Sequence, residues 1–219
     1  MFWQEEVDED RFVVPDNVLD LIFKIKCPTL PIDHAWALSQ AIHQALPWFA
    51  DESNAGLHLI YGADSGNGWE RPSGSGDLLY LSRRTPLILR LPKARIGDAE
   101  KLSDQILDID GSKLEISGNH TRLLSITTTL YCRHLVVEED QSEDDFMEQS
   151  VSQLKALNLR FKKVLCGKGD AFQTPEGAIL TKSLMVAGLP LDDAITLQEE
   201  GMGSLRNRGF GLFIPHKTV

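Results

Sequence analysis

The chain has no apolar run approaching the roughly 20 residues needed to cross a bilayer, which speaks against a membrane-spanning helix. Cysteine is scarce. Cys27, Cys132 and Cys166 lie far apart, without a CxxC pair. An odd, scattered set excludes a disulfide scaffold or zinc ribbon and predicts the reduced thiols of a cytoplasmic protein. The patterns HxH and HExxH and any dense Asp/Glu set are also missing, so neither a metal nor another cofactor is expected. The amino terminus, MFWQEEVDED, is acidic where a secretory signal would be basic.

Positive charge is in deficit, with 22 Lys plus Arg against 32 Asp plus Glu and a net charge of −10. Spread evenly, that balance would oppose a polyanionic partner. It is not spread evenly. Residues 1–20 hold seven acids and one base, and residues 138–148 (EEDQSEDDFME) hold seven acids and no base, so the rest of the chain is +3. The two acidic stretches read as solvated segments that leave room for a basic surface elsewhere.

The hydrophobic pattern is mixed. VLDLIFKIKC (18–27) is a strand, broken by Pro28 and Pro31. Asp33 is the candidate N-cap of a helix over 34–46, whose apolar face carries Leu38, Ala41, Ile42, Ala45 and Leu46. GLHLIYG (56–62) is a second strand, 63–77 a Gly/Ser loop, and LLYLSRR and PLILRL extended segments. A helix over 96–107 and the strand KLEISGN complete the first half. The second half repeats the order: a strand over 121–137, a helix over 143–158, the strands RFKKVLCG and AILTKSLMVAG, a helix over 191–201, and the strand GFGLFIP (209–215). Two β-α-β-β-α-β units of about 100 residues each predict an α+β chain of two tandem ferredoxin-like domains. The expected division is an acidic arm over 1–16, an N-terminal domain over 17–118 and a C-terminal domain over 119–219, with a glycine-rich loop at 201–211.

That loop, GMGSLRNRGFG, is the most specific feature of the sequence. It is not a P-loop, because GxxxxGK[ST] is absent. It is not a dinucleotide fingerprint either: it leaves a helix and enters a strand, and Arg206 stands where a third glycine belongs. Gly201, Gly203, Gly209 and Gly211 would let backbone approach a ligand closely, and Arg206 and Arg208 would supply planar forks for phosphate. A plain helix-to-strand turn with solvated arginines is the competing reading.

With a helix before it and a final strand after it, GxGxxRxxGFG resembles the RAMP superfamily, and within it the CRISPR repeat-processing endoribonucleases. ALPWF with LHLIYG, LLYLSRRTPLILRLP and LQEEGMGSLRNRGFGLFIP together resemble the branch called the MYXAN subtype, over roughly residues 18–215. The resemblance implies a double ferredoxin-like fold of RAMP type with RNA across both domains. It also implies metal-independent cleavage of precursor CRISPR RNA within each repeat hairpin, leaving a 2′,3′-cyclic phosphate and a 5′-hydroxyl. Other CRISPR effector subunits are possible partners, and the oligomeric state is open.

The resemblance also places an active histidine on or beside the first helix, which selects His34 and His43 from six histidines. Nine positions apart, they cannot both face one scissile phosphate from a continuous helix. His34 is favoured, because the helix dipole at its first turn keeps imidazole neutral, as a base must be. Tyr61, Ser39 and Lys182 stay open as accessory groups. For binding, Arg83 and Arg84 after LLYLS join Arg206 and Arg208, with Lys162, Lys163 and Lys168 as further phosphate contacts. Three rival readings are weighed: a non-catalytic RNA-binding RAMP subunit, an RNA-recognition-motif protein suggested by Arg208–Gly211, and a scaffold that docks a basic partner on its acidic segments.

Overall fold

The computed structural model describes residues 12–62 and 78–216. Most of the expected acidic arm and the whole Gly/Ser loop over 63–77 lie outside the described residues. The strands are β1 Val18–Lys26, β2 Thr29–Pro31, β3 Gly56–Leu57, β4 Leu78–Tyr80, β5 Pro86–Pro92, β6 Ile106–Ile109, β7 Ser112–Arg122, β8 Thr129–Val137, β9 Lys163–Thr174, β10 Gly177–Ala187 and β11 Phe213–Pro215. The helices are α1 Ala35–Ala45, α2 Ile96–Ala99, α3 Glu143–Ala156 and α4 Leu191–Glu200.

The first sheet has the order β3-β5-β1-β7-β6 and the second β11-β8-β10-β9, all antiparallel, while β2 and β4 form a separate pair. Without the edge strand β6, each large sheet reads fourth, first, third, second in its own half. α1 and α2 fill the crossovers of the first half, and α3 and α4 those of the second. The chain is two ferredoxin-like domains in tandem. Residues 119–122 pair with β1 as the end of β7, so the junction between the sheets falls at 123–128.

Alternation in β1 sends Leu21, Phe23 and Ile25 into a core with Leu38 and Ile42 of α1 and Leu87, Leu89 and Leu91 of β5. In the second half Leu130, Cys132, Leu184, Val186 and Phe213 meet Phe146 and Leu154 of α3 and Leu197 of α4. Burial pushes the Cys132 thiol up to about 12, so it behaves as an inert apolar group. α3 begins inside the acidic stretch. Ser142 caps it by accepting from the Asp145 N–H, and Glu143, Asp144 and Asp145 sit at the positive end of the helix dipole.

Several expected elements change. The helix expected over 96–107 shrinks to α2 and flanking 3-10 turns, and Ile106 and Leu107 belong to β6. Asp110–Gly111, both at positive φ, turn β6 into β7, a tight hairpin that the helical pattern obscured. Strand 56–62 is reduced to Gly56–Leu57 with one further bond from the His58 N–H to the Ile88 carbonyl, strand 121–137 begins at Thr129, and strand 209–215 is reduced to Phe213–Pro215. The N-cap of α1 is His34, not Asp33, and no side chain caps that helix.

A buried ion pair of the first half also reaches across to the second. Asp20 of β1 and Arg90 of β5 are opposite one another in register and 3% and 1% exposed. Arg90 Nε donates to Asp20 Oδ1 at 2.8 Å, while its Nη1 crosses the junction to the carbonyls of Gln198 (3.0 Å) and Phe213 (2.8 Å). Arg122 adds a contact to Asp20 Oδ2 at 3.0 Å, and His58 Nε2 lies 3.7 Å from Oδ1. Burial opposes ionisation of Asp20, but the Arg90 charge and the hydrogen bonds outweigh it and hold the carboxyl well below its usual range. Burial also pushes the His58 imidazole down, against the pull of Asp20.

Two stability predictions follow from these groups. Arg90→Ala leaves a buried carboxylate short of its main partner and should cost about 3–5 kcal/mol in urea denaturation. Because the folded pKa of His58 is depressed, unfolding takes up a proton, so stability present above pH ~6.5 should fall as the pH drops through that value. A second loss, from the depressed Asp20, should set in below pH ~4 and be absent in Asp20→Asn.

Candidate active site

α1 ends at Ala45, and a 3-10 turn over Pro47–Ala50 directs the chain back toward β3. The loop after α4 approaches this corner from the other half. Its own 3-10 turn, Arg206–Arg208, begins at Leu205, which adopts φ +64, an uncommon conformation for leucine. Two hydrogen bonds hold it there, since the N–H groups of Arg208 and Phe210 both donate to the Leu205 carbonyl. Asn207 Nδ2 donates to the Ala50 carbonyl at 2.8 Å, tying the loop to the 3-10 turn that follows α1.

His43 completes this junction. Its Nε2 lies 3.1 Å from the Asn207 carbonyl oxygen. A carbonyl only accepts, so Nε2 carries the proton and Nδ1 is the basic nitrogen. The ring is half-buried and tilted against Phe49. Burial lowers its pKa; the Asn207 bond opposes this, the smaller effect of the Arg208 charge adds to the lowering, and Asp51 raises it least, so the net shift is downward and imidazole is the form present at neutral pH. The Arg208 guanidinium lies 4.8 Å over the Trp36 ring of α1, with Glu176 of the β9–β10 turn 3.6 Å away. A neutral imidazole and a stacked guanidinium from opposite halves therefore share one corner, where they can accept a proton and meet anionic charge.

His34 is placed differently. It is 2% exposed, with Nδ1 3.0 Å from the Pro31 carbonyl and Nε2 accepting from the Ile60 N–H at 3.2 Å. Those partners fix one neutral tautomer and bind both ring nitrogens to backbone. Buried in this way, His34 braces the continuation of β3 against α1.

The glycines expected to cradle a ligand pack the loop onto itself. Met202 and Gly211 are joined by a backbone bond of 3.0 Å, and Gly211 donates to the His134 carbonyl at 2.8 Å. Gly211 has φ +69, and a Cβ there would stand 2.0 Å from the Met202 carbonyl oxygen. At Gly209, with φ +105, a Cβ would meet Leu59 at 2.3 Å, so absence of a side chain lets the loop close on the first half. Gly201, Gly209 and Gly211 are buried, and Gly203 is exposed. Arg206 turns inward. Its Nη1 and Nη2 donate to the carbonyls of Glu200 and Glu199, capping α4, and burial lowers its pKa to about 10. The Arg206 fork is thus committed to a helix end and is not presented to a phosphate.

The remaining binding candidates lie away from this corner. Arg83 and Arg84 are exposed in the turn between β4 and β5, at the other end of β5 from Arg90. Lys162 and Lys163 are exposed before and at the start of β9, while Glu176 lies beyond its end, roughly 35 Å away along an extended strand. Trp36, Asn207 and Glu176 were not singled out from the sequence. Among the described residues no group of three or more His, Cys, Asp or Glu side chains converges, and no helix is long and apolar enough to cross a membrane.

A family profile described as Cas6 Crispr matches residues 19–218, nearly the whole chain. The chain belongs to the Cas6 family. The CRISPR-associated endonuclease Cas6 of Myxococcus xanthus strain DK1622 is 26% identical over 197 residues, covering 90% of this chain and 81% of that protein. A solved structure described as CRISPR associated protein Cas6 matches with a TM-score of 0.63 at 10% identity, covering 91% of this chain and 100% of that one. Another, described as a RAMP protein binding different RNA substrates, matches at 0.57 and 12% identity, covering 90% and 98%. At such identities the structural likeness is one of fold, the tandem ferredoxin-like arrangement described above.

The self-packing of the loop has a measurable consequence. Gly211→Ala forces a methyl group against a carbonyl at a positive φ and should destabilise the fold by about 1–2 kcal/mol or more. Gly97→Ala, at a helical position with open space around it, should be neutral or stabilising by up to about 1 kcal/mol. Urea denaturation of the two variants checks the contrast.

Proposed function

We propose that this chain is a CRISPR RNA-processing endonuclease that cuts its own repeat hairpin by internal attack, with His43 as the general base and Arg208 as the charge-stabilising group. The observation that carries this reading is the pairing, at one interdomain corner, of a neutral imidazole with a guanidinium held by Trp36. Family membership supports the substrate class, since the Myxococcus xanthus relative is a CRISPR-associated endonuclease.

In this reaction the ribose 2′-hydroxyl gives its proton to His43 Nδ1 as its oxygen attacks the adjacent phosphorus. The new P–O2′ bond forms while the P–O5′ bond breaks, leaving a 2′,3′-cyclic phosphate and a 5′-oxygen that takes a proton from solvent. Arg208 meets the charge that builds on the non-bridging oxygens, where a fixed cation stabilises the transition state more than the ground state. Asn207 contributes through its backbone: its carbonyl holds the Nε2–H and so keeps Nδ1 the proton acceptor. No metal is required by these steps, and the partner they act on is precursor RNA.

His43→Ala should slow cleavage of a labelled repeat hairpin by roughly 10²–10⁴-fold in EDTA while binding stays within a few-fold. Binding without cutting by the unmodified protein would make it a non-catalytic RNA-binding subunit instead. The kcat/KM profile should rise with pH to a plateau, with its midpoint below the ordinary histidine value of about 6.5, because the neutral form is the active one. His34→Ala should show its effect mainly in thermal stability; a cleavage defect in a fully folded His34→Ala protein would return the base to that residue. A single 2′-deoxy nucleotide at the cut site should block the reaction.

A further inference from the structure

β4 carries an arrangement that the reaction corner does not use. Leu79 points into the first core, so alternation sends Leu78 and Tyr80 to the opposite face of the strand. Both are open to solvent there: Tyr80 is 75% exposed and Leu78 45%. Two residues apart on one face, they form an apolar strip about 7 Å long. The strip rests on a rigid base, because β4 pairs with β2 from Leu78–Pro31 to Tyr80–Thr29, and the Leu81 N–H continues the ladder to Pro28.

The strand runs directly into two arginines. Leu81 leads to the turn Ser82–Thr85, closed by the Thr85 N–H to the Ser82 carbonyl, by Ser82 N–H to Thr85 Oγ1 and by Arg84 N–H to Ser82 Oγ. Arg83 and Arg84 project from this turn, exposed, and neither forms an ion pair with a described residue. An exposed aromatic on a paired strand, with two guanidiniums within four residues that no described carboxylate pairs, is the chemistry of a surface that stacks a base and holds its phosphates. A buried protein partner would favour a larger apolar patch and fewer charges. A duplex hides its base faces and so could use only the arginines.

We infer that Tyr80, with Arg83 and Arg84, forms a second RNA contact, a stacking platform for an unpaired nucleotide, separate from the corner that holds His43. This rests on the RNA-processing reading above and extends it, by assigning this surface to single-stranded RNA flanking the hairpin. Tyr80 supplies the ring, and the two arginines supply the phosphate contacts.

The test uses the full chain and two fluorescein-labelled probes, a single-stranded rA12 and a blunt RNA hairpin without unpaired ends, followed by anisotropy. Tyr80→Ala should weaken rA12 binding by about tenfold and leave hairpin binding within twofold, while Tyr80→Phe keeps both. The salt dependence of rA12 binding should keep its slope in Tyr80→Ala and flatten by roughly 0.7 in Arg83→Ala, because only the latter loses a phosphate contact. Equal rA12 binding by Tyr80→Ala and the unmodified protein would overturn the platform. So would a loss shared equally by both probes, or a Tyr80→Phe protein as weak as Tyr80→Ala. If the platform fails while the hairpin is still bound and cut, the processing reading stands without it; if the unmodified protein binds neither RNA, both fall.

Discussion

The relative placement of the two domains depends on Arg90. A guanidinium in a buried setting must satisfy its donors or its desolvation is uncompensated. Arg90 does so by dividing them between the Asp20 carboxylate in its own sheet and two carbonyls of the other half. The choice of partners matters. Gln198 lies near the end of α4 and Phe213 opens β11, so the two carbonyls bracket the glycine-rich loop between them. One side chain of the first sheet thereby fixes both ends of the segment that carries Arg208. A hydrophobic residue could fill the volume but could not register those ends against β5.

The candidate site is a product of that registration. His43 comes from the first half, and Asn207 and Arg208 from the second; the contacts among them exist only when the loop lies against the end of α1. The glycines serve the same purpose by omission. Gly209 lets backbone approach Leu59, and Gly211 lets the two limbs of the loop touch at Met202. Arg206, though only two residues from Arg208, does a different task, since it finishes α4. The loop is thus a braced connector with one arginine turned outward and one turned inward.

The domain architecture was legible in the sequence because both halves obey a simple periodicity: alternating strands such as β1 and amphipathic helices such as α1 declare themselves locally. The first failure came where two periods overlapped. IGDAEKLSDQIL counts as helical, but Asp110–Gly111 just beyond it demands a hairpin, and the hairpin takes Ile106 and Leu107 with it. The site was only half legible. The family resemblance narrowed the histidines to two, yet a choice between them by helix position ignored what each ring would touch after folding. His34 lies under Ile60, a contact across 26 residues; His43 lies under Asn207, a contact across 164. Neither distance can be read from spacing. One missed signal was available. Asp20 in VLDLIF and Arg90 in LILRL are charges within otherwise apolar strands, and such residues are rarely buried without each other.

Arg208 is oriented by two neighbours from different elements of the fold. Its guanidinium rests between the Trp36 face and the Glu176 carboxylate, and Glu176 sits on an exposed hairpin tip. The carboxylate acts as a place-holder: it neutralises the arginine and keeps the fork extended over the ring. On the function proposed above, an arriving polyanion would displace it, and because a pair whose carboxylate stands this open to water is worth at most about 1 kcal/mol, the exchange costs little. The hairpin that closes β9 onto β10 thus keeps the arginine oriented without making it hard to reach.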